Sequence, residues 1–598
     1  MTDEAFASSS DAFRHARPLR YLQHLTIGSF VLESGIVLPS VTIAYETYGT
    51  LTAARDNAVL VCHALSGDSH VARHNADDDP GWWEFMVGPG RYLDTQRWFV
   101  ICANVLAGCR GSTGPNTINP QTGRPYGPDF PDITIGDIVE TQRLLLDHLN
   151  IQRLAAVVGG SMGGMQAMLW AIRYPQRVAA AVLIATAHRL NAQALAFDIV
   201  ARNAITSDPD FAGGAYYDRA RGPETGLAIA RMLGHITYLS RQSMHDKFES
   251  DRLRPRPVNT DFEAEFSVGS YLAYQGERFV ERFDANTYLR LSRALDRFDL
   301  GADQQTLTAA FRAAQCRWLV VAFTSDWLFP IEQSRELVRA LLAAGQCVSS
   351  CEIPTRAGHD AFLLPQDIDC YGPLLHAVIS GGATSVPQQV DALGHGPESV
   401  FFYNRLDYER IAALIPASAS VLDLGCGAGG LLARLRDRGH RRLVGVELDL
   451  RAVTTAVQRG LAVIHADIEA GLTQFTLRSF DVAVLSQTLQ TIRNVESVLD
   501  EMLRVAETAI VSFPNAAHQR HRERFYESGR APETTGLTRY RWYNTPDIRL
   551  ITIPDFEDLC RLKGWCIRRR LCLSTETGKE VMDEPERWSD LAVYVLTV

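Results

Sequence analysis

The sequence lacks the features that mark secreted, membrane-spanning and metal-binding proteins. Its 11 cysteines are scattered, and no two of them form a CxxC pair, so the sequence indicates neither a zinc site nor a disulfide framework. The first twenty residues contain no apolar core of a signal peptide, and no apolar run reaches the length of a membrane span. These absences predict a soluble cytoplasmic protein that holds no metal and does not bind a membrane.

An excess of positive charge is absent too. The chain carries 59 Lys and Arg against 69 Asp and Glu, a net charge of −10, which argues against a general nucleic-acid partner. Its 598 residues are 46% apolar and 21% charged, the composition of an ordinary globular protein. From this length we expect about two to four domains.

Two stretches of alternating strand and helix patterns divide the chain. From about Val41 to Ser385, runs such as "AVLVCHAL", "LAAVVGG" and "RWLVVAFTSD" are apolar on consecutive residues, as in a parallel sheet covered on both faces. Between about residues 187 and 302 the sequence becomes helix-like, which favours a helical lid inserted into an α/β core. A second βαβ pattern opens at "SVLDLGCGAGG". We predict a first domain at residues 1–385, a linker at 386–399 and a second domain at 400–598.

The stretch "VVGGSMGGMQAMLW" sets Ser161 between two glycine pairs, after an apolar run and before a helical pattern. Such a turn either cradles a phosphate or holds a nucleophile on a strained elbow. The phosphate interpretation needs a Walker lysine, which the stretch lacks. The nucleophile interpretation needs an acid and then a histidine after later strands, and Asp326 and His359 stand at such places. We predict a Ser161–His359–Asp326 triad, in which His359 takes the serine proton and Asp326 orients the imidazole.

An oxyanion hole needs two backbone donors beside this serine. The N–H of Met162, directly after the nucleophile, is the first that such an elbow supplies, and we assign the second to Leu65 in the loop "CHALSGDSH". His63, in the same loop, is expected to pack the loop rather than to act as a second base.

With these motifs in place, nearly all of the first 380 residues resemble the homoserine O-acyltransferases of the α/β-hydrolase superfamily, the MetX type of methionine biosynthesis. The matching stretches are "CHALSGDSHV", "WFVICANVLAGCRGSTGP", "GGSMGGMQAMLWA", "ARMLGHITYLS", "FTSDWLFP" and "GHDAFLL". The resemblance implies acyl transfer from coenzyme A to the serine and then to the hydroxyl of L-homoserine. It also assigns Arg231 and Asp360 to this substrate, consistent with pairing to its carboxylate and its ammonium. We further expect a lid that keeps water from the acyl-enzyme, and a homodimer.

The acyl donor depends on the residue after the Asp-Trp pair. Succinyl-CoA users of this family tend to carry an arginine there, whereas this chain has Leu328, which favours acetyl-CoA. Arg110, in "GCRGSTGP", leaves succinyl-CoA open as an alternative because it offers a positive charge. A hydrolase of the same fold and a non-enzymatic scaffold are two further possibilities.

The second α/β pattern has the arrangement of a nucleotide site. Gly425, Gly427 and Gly429 lie in the turn between a predicted strand and a predicted helix, and Glu447 ends the next strand. The glycines allow close approach of a ligand to the backbone, and the carboxylate suits ribose hydroxyls. A glycine-rich turn of this kind is weak evidence on its own.

The motif "DLGCGxG", which includes Asp423, resembles the corresponding motif of class I methyltransferases that use S-adenosylmethionine. Asp467 resembles the acid that often meets the adenine in these enzymes. Nearly all of Val400 to Val598 resembles the MetW family in particular, through stretches such as "FDVAVLSQTLQTIRN". No base or acceptor motif for methyl transfer is evident. Catalysis, a cofactor-binding role that serves the acyltransferase, and an empty pocket therefore all stay open.

Overall fold

The structure is a computed structural model that describes residues 19–381, 406–531, 542–543 and 545–598. The chain divides into two compact units, residues 1–346 with 352–379, and residues 347–351 with 380–598. The predicted linker at 386–399 lies outside the described residues, as do the boundaries at 385 and 400. Across the described ranges, every helix is too short or too polar to cross a membrane.

The first unit is built on a mostly parallel sheet, as the runs of consecutive apolar residues predict. Its neighbouring strands are, in order, Gln23–Ile27, Val41–Tyr48, Phe99–Ala103, Ala58–Cys62, Ala156–Gly160, Ala180–Ile184 and Arg317–Phe323. The first two strands run antiparallel to their neighbours and the later pairs are parallel. Ala58–Cys62, Ala156–Gly160 and Ala180–Ile184 are buried at every residue, because helices cover both faces of a parallel sheet.

Helices connect these strands and also form the insertion. The helices outside the insertion are Ile135–His148, Met162–Arg173, Gln304–Phe311, Ile331–Ala343 and Pro365–Ser380. Ile135–His148 begins with a capping box, since Thr134 accepts from the Asp137 N–H and Asp137 accepts from the Thr134 N–H. The predicted lid segment contains Ala192–Thr206, Glu224–Tyr238, Arg241–Phe248, Ser267–Val280 and Ala285–Asp296. It leaves the core after Ala180–Ile184 and returns at Arg317–Phe323, which are neighbours in the sheet.

Shorter elements complete this unit. The two-residue strands are Phe30–Val31, Val37–Leu38, Val87–Gly88, Leu93–Asp94, Ile118–Asn119 and Arg124–Pro125. The 3₁₀ turns are Gly127–Asp129, Pro175–Arg177, Pro209–Gly214 and Gly358–Leu363. The strand Cys347–Ile353, of which residues 347–351 belong to the second unit, precedes the last of these turns and leads the chain into the loop that carries His359.

The second unit is built on a series of neighbouring strands whose order reverses at one point. Its strands are, in order, Ala462–His465, Leu443–Glu447, Val421–Leu424, Phe480–Ser486, Ala506–Pro514, Leu591–Thr597 and Cys566–Leu573. The first five are parallel, and Leu591–Thr597 runs antiparallel to both of its neighbours. The chain starts this sheet at Val421–Leu424, adds strands on one side and then on the other. Ligands of open α/β sheets bind outside the carboxyl ends of the strands at such a reversal.

Helices cover this second sheet. They are Leu406–Leu414, Gly430–Asp437, Leu450–Gln458, Val495–Val505, Gln519–Ser528, Ile553–Lys563 and Pro585–Trp588, with 3₁₀ turns at Ile468–Ala470 and Leu489–Thr491. A core between helices and strands includes Ile411, Val421, Leu431, Val484 and Val593, each at most 2% exposed. The helix Gly430–Asp437 contributes Leu431 to this core and thereby packs against the strand Val421–Leu424, which precedes the glycine turn.

Candidate functional site

Ser161 stands on a strained turn between the strand Ala156–Gly160 and the helix Met162–Arg173. Its φ of 56° and ψ of −125° lie where side-chain-bearing residues are rarely found. The flanking glycines permit the close packing around it: a Cβ on Gly163 would lie 2.0 Å from the Cys62 carbonyl oxygen, and one on Gly159 would lie 2.1 Å from the Gly163 carbonyl carbon. The glycines are therefore required because helix and strand backbones touch at this elbow.

The predicted acid and base meet in the structure. Asp326 follows the strand Arg317–Phe323, His359 lies in the turn Gly358–Leu363, and His359 Nδ1 is 2.8 Å from Asp326 Oδ2. The other carboxylate oxygen of Asp326 accepts the N–H groups of Leu328 and Phe329 at 3.0 and 2.9 Å. Asp326 is thus fixed by its own loop, and its bond to Nδ1 leaves Nε2 of His359 as the nitrogen that can accept a proton.

The environment of His359 adjusts its basicity. Burial lowers the pKa of His359, and the charges of Asp326 and Asp360 outweigh burial, so its pKa lies above the ordinary value. The Phe329 ring stacks on the imidazole with centroids 5.2 Å apart. The described residues provide no hydrogen bond to Ser161 Oγ, and catalytic hydrogen bonds are often long before substrate binds.

The two residues predicted to supply the oxyanion donors both lie beside the Ser161 side chain. Met162 is the first residue of its helix, so its N–H has no intrahelical acceptor. The Leu65 side chain lines the same cavity as Ser161. His63 is committed elsewhere: its Nε2 accepts the Val105 N–H at 3.1 Å and its Nδ1 lies 2.8 Å from the Ala64 carbonyl oxygen. His63 therefore fixes the loop, as the sequence indicated.

Arg231 and Asp360 come from different parts of the first unit: Arg231 lies on a helix of the lid, and Asp360 lies on the core, next to His359. Arg231, on the lid helix Glu224–Tyr238, donates to Ser66 Oγ at 3.3 Å, with its guanidinium 4.9 Å from the Phe279 ring centroid. Asp360 directly follows His359. Burial raises the pKa of Asp360, while the charges of His359, Arg231 and Lys247 oppose that shift. The Arg231 guanidinium thus acts on a carboxyl group that directly follows His359.

A small cavity of about 40 Å³ opens beside Ser161. Its wall is mostly apolar and combines core and lid residues, namely Leu65, Ser161, Leu190, Ala194, Phe197, Asp198, Ala201, Leu233, Gly234, Thr237, Tyr238, Tyr288, Leu295, Leu328 and Phe329. The sequence assigned Ser161, Leu65 and Leu328 to the site. It gave no reason to choose Asp198 or Tyr238, because lid helices carry no local motif that says which face meets the nucleophile.

Arg110 is engaged by a carboxylate. Its Nη1 lies 2.8 Å from Asp68 Oδ2, both side chains being mostly buried. Burial raises the pKa of Asp68, and the Arg110 guanidinium together with the His70 N–H and the charge of Arg282 outweighs it, so the pKa lies below its ordinary value. A second arginine, missed in the sequence, supports the same loop: Arg282 Nη1 donates to the Ser66 carbonyl oxygen at 2.9 Å. Burial and the nearby charge of Arg231 lower the pKa of Arg282 to about 10.

A group of possible metal ligands lies elsewhere in the first unit. Glu46, His70 and His74 bring one ligand atom each within 4.8 Å of the others. Both ring nitrogens of His70 already face oxygen acceptors, Nδ1 at 3.0 Å from Glu46 Oε2 and Nε2 at 2.8 Å from the Asp79 carbonyl oxygen. That pattern is the one a protonated imidazole makes, so we interpret the pair as a buried ion pair.

In the second unit the three glycines form an open cradle. Gly425, Gly427 and Gly429 have φ values of 67°, 53° and 77°, which favour glycine. A Cβ on Gly427 would meet no atom within 4 Å, so this residue faces open space. The turn follows the strand Val421–Leu424, at the point where the order of the sheet reverses. The cradle thus occupies the usual ligand position of such a sheet.

Glu447 closes one side of this cradle. Its Oε2 accepts the Gly427 N–H at 2.8 Å, and its Oε1 accepts the N–H groups of Leu448 and Asp449. Asp467 is exposed at the end of the adjacent strand, whereas Asp423 is buried within its own strand at 2% exposure. The sequence missed Asp407, which accepts from Ser486 Oγ and Gln487 Nε2, both at 2.9 Å, beside the carboxyl end of a central strand.

Both units match known families. Residues 57–365 match the family described as alpha/beta hydrolase fold, which confirms the fold predicted for this part. Residues 405–596 match the family described as Methionine biosynthesis protein MetW.

Solved structures and sequence relatives agree with these matches. The crystal structure of homoserine O-acetyltransferase from Bacillus anthracis is similar with a TM-score of 0.54 and 28% identity, over 61% of this chain and 99% of that one. Esterase E22 gives 0.54 and 29%, over 60% and 99%. A Homoserine O-succinyltransferase from Alkalilimnicola ehrlichii is 53% identical over 59% of this chain and 93% of its own. A Homoserine O-acetyltransferase from Mesorhizobium japonicum is 52% identical over 58% and 89%.

One relative spans both units. The Bifunctional methionine biosynthesis protein MetXA/MetW of Rhodopirellula baltica is 48% identical over 98% of this chain and 94% of its own length. The hydrolase match contains the Ser161 elbow, and the MetW match, which follows it along the chain, contains the glycine cradle. The chain therefore belongs to the family of bifunctional MetXA/MetW methionine biosynthesis proteins.

Proposed function

We propose that this protein transfers an acetyl group from acetyl-CoA to the side-chain hydroxyl of L-homoserine, through an acyl-enzyme on Ser161. Membership of the family supports the coarser part of this statement, homoserine O-acyl transfer in methionine biosynthesis. The observation that carries the mechanism is the strained Ser161 elbow together with the 2.8 Å bond between His359 and Asp326.

The proposed chemistry has two half-reactions with ping-pong kinetics. In the first, Ser161 Oγ attacks the thioester carbonyl carbon while His359 Nε2 takes the hydroxyl proton, and the proton leaves with the CoA sulfur when the C–S bond breaks. In the second, the homoserine hydroxyl attacks the acyl-Ser161 ester, and His359 takes the proton of that hydroxyl and passes it to Ser161. The Leu65 and Met162 N–H groups stabilise the negative oxygen formed in each half-reaction.

The acceptor is held by two charges beside the triad. We assign Arg231 to the homoserine carboxylate and Asp360 to its ammonium group, because a guanidinium fork and a carboxylate are the matching partners. Lid helices line the cavity next to Ser161, and a lid that excludes water favours transfer over hydrolysis. Esterase E22 shares the fold, so a hydrolase is the rival of the same class.

Acetyl is the acyl group that the cavity beside Ser161 supports. A volume of about 40 Å³ has room for about three water molecules, which suits a group of a few heavy atoms. Leu328 gives this wall an apolar side chain, and Arg110 is paired with Asp68 at 2.8 Å. Relatives of similar identity are named as acetyltransferases and as succinyltransferases, so they do not distinguish the two donors. The proposal of acetyl-CoA therefore depends on Leu328 and on the Arg110–Asp68 pair.

Release of CoA with and without homoserine tests this function. We expect release from acetyl-CoA that depends on homoserine, a higher kcat/KM with acetyl-CoA than with succinyl-CoA, and a loss of several orders of magnitude in Ser161→Ala. Release that ignores homoserine would identify a hydrolase, and no release would identify a scaffold. Turnover retained by Ser161→Ala would refute the acyl-enzyme.

For the second unit we propose binding of S-adenosylmethionine in the glycine cradle. The open space at Gly427 allows a ligand to approach the backbone, and Glu447 Oε2 accepts a single N–H there, which leaves it a lone pair for a ribose hydroxyl. Asp423 and Asp467 belong to the same proposal, Asp467 toward the adenine. Bound there, the cofactor would either supply a methyl group or act as a regulatory signal. The regulatory role follows from its chemistry of origin, because S-adenosylmethionine lies downstream of homoserine acylation.

Calorimetry on the full chain tests this cofactor site. Glu447→Ala is expected to weaken binding by about 1–3 kcal/mol, the cost of leaving polar partners unpaired, whereas Glu527→Ala, an exposed residue of the same unit, should leave it unchanged. Equal binding by both variants would contradict the assignment.

Truncation near Gly394 is expected to change the rate or the stability of the acyltransferase, because the fusion keeps the second domain at high local concentration.

We also propose a homodimer located in the cytoplasm. Apolar side chains exposed on lid helices support the dimer: Ile199, Val200 and Ile229 are 50%, 55% and 41% exposed. Sedimentation of the purified protein measures its state of association, and a monomer at micromolar concentration would contradict it.

A further inference from the structure

The cavity beside Ser161 has an acidic side chain in its otherwise apolar and neutral wall. Asp198, on the lid helix Ala192–Thr206, lines it together with Ser161 and Leu328. Among the described lining residues, Asp198 is the only carboxylic acid, and none is a lysine, arginine or histidine. A carboxyl group in such a wall bears directly on which acyl groups can enter.

Asp198 belongs to a buried group of three side chains. Its carboxyl lies close to that of Asp296, the last residue of the lid helix Ala285–Asp296. Arg202, one helical turn after Asp198, places Nη2 2.6 Å from Asp296 Oδ2 and donates from Nη1 to Ser292 Oγ. Oδ1 of Asp296 is buried and receives no hydrogen bond from the described N–H or hydroxyl groups. A proton on Asp198 would supply a donor to the Asp296 carboxyl.

This arrangement is neutral as a whole. Burial and the adjacent Asp296 carboxyl raise the pKa of Asp198 well above its ordinary value, which favours its protonated form. The proton of Asp198 is used on Asp296, and the charge of Arg202 is balanced by Asp296. An acyl chain that ends in a carboxylate would bring a negative charge into this wall, where no lysine, arginine or histidine stands among the described lining residues to balance it.

We infer that Asp198 sets the class of acyl donor: it admits short uncharged acyl thioesters and excludes those whose acyl chain ends in a carboxylate, such as succinyl-CoA. This inference rests on the proposed function, because it concerns the group transferred to Ser161. It adds a second position to Leu328, from a different part of the chain. Asp198 acts by placing a carboxyl group, rather than a cation, in the wall, and it makes no bond to the reacting atoms.

The acylation step tests this inference without the acceptor. The protein is mixed with acetyl-CoA or succinyl-CoA in the absence of homoserine, and the acyl adduct on Ser161 is followed by intact-protein mass spectrometry. Asp198→Asn keeps the shape, donates one N–H to Asp296 and offers a second N–H to the cavity. We expect the succinyl-to-acetyl ratio of acylation rates to rise about tenfold or more. Asp210→Asn, an exposed residue of the lid, is the matched control and should leave the ratio unchanged.

A second variant guards against misfolding. Asp198→Ser also removes the ionisable group and keeps a hydroxyl donor, and melting curves establish which variants retain the wild-type fold. A folded variant with an unchanged or lower succinyl ratio would overturn the inference and leave the proposed function intact. Acylation without homoserine-dependent turnover would overturn the proposed function alone, and no adduct from either donor would overturn both.

Discussion

The buried pair of His70 and Glu46 predicts that the first unit loses stability in mildly alkaline solution. Glu46 is fully buried, and Tyr48 OH donates to the same Oε2 that faces His70 Nδ1. Burial lowers the pKa of His70, and the bonds to Glu46 and the Asp79 carbonyl outweigh it, so the pKa rises to about 9. Deprotonation leaves the Glu46 carboxylate buried without its cation.

The sign and size follow from linkage between protonation and folding. The folded pKa of His70 is above its unfolded value of 6.5, so its contribution is fully present below pH 6.5 and is lost as pH rises through about 9. The difference of about 2.5 in pKa, at about 1.4 kcal/mol for each unit, gives at most about 3.5 kcal/mol, of which about 3 kcal/mol is present near pH 6. Other groups titrate as well, so the comparison must be with a variant that lacks only this titration.

The measurement is urea unfolding of wild type and His70→Gln at several pH values from 6 to 9.5, followed by tryptophan fluorescence. The glutamine amide keeps a donor toward Glu46 and has no proton to lose. The wild type should be the more stable by about 3 kcal/mol near pH 6, and the two proteins should converge above pH 9. Because the chain has two compact units, only the transition that His70→Gln displaces is compared. A gap that does not change with pH would refute the ion-pair interpretation.

Three further predictions concern the acyltransferase site. Asp326→Asn removes the charge that raises the pKa of His359, so the acidic limb of the pH profile of kcat/KM should move to lower pH while the maximal rate falls; an unmoved limb would contradict the assigned base. Gly163→Ala should destabilise the first unit by several kcal/mol in melting experiments, because its Cβ would lie 2.0 Å from a carbonyl oxygen, whereas Gly28→Ala, with no atom within 4 Å, should be nearly neutral. Leu328→Arg should raise kcat/KM for succinyl-CoA relative to acetyl-CoA, and head-to-head kinetics would show the idea wrong if the ratio is unchanged.

The sequence predicts the parts of the site that short motifs specify. Ser161 is predicted from the glycine-rich elbow, and Asp326 and His359 are predicted from the ends of two later strands. The carboxyl ends of parallel strands lie at one edge of a sheet, which brings these residues together. The glycine turn and Glu447 follow in the same way. These features are local, and local spacing is what a single sequence displays.

Contacts between distant segments were not predictable. Arg282 supports a loop 216 residues before it, and Asp198 meets a carboxyl on another lid helix. The buried pair of Glu46 and His70 spans a strand and a loop without any shared motif. Each depends on how helices and loops pack in three dimensions, which periodicity does not specify. The linker prediction at 386–399 stays a prediction, since it lies outside the described residues.

The place where the lid enters the core has a consequence for how this enzyme family can diversify. The strands Ala180–Ile184 and Arg317–Phe323 pair directly, so the roughly 130 residues between them form a closed loop whose entropic cost grows only with the logarithm of its length. Doubling that loop would cost only about 0.6 kcal/mol. Evolution can therefore lengthen, shorten or rearrange the segment that faces the acyl group while the strands that carry Ser161, Asp326 and His359 stay in register.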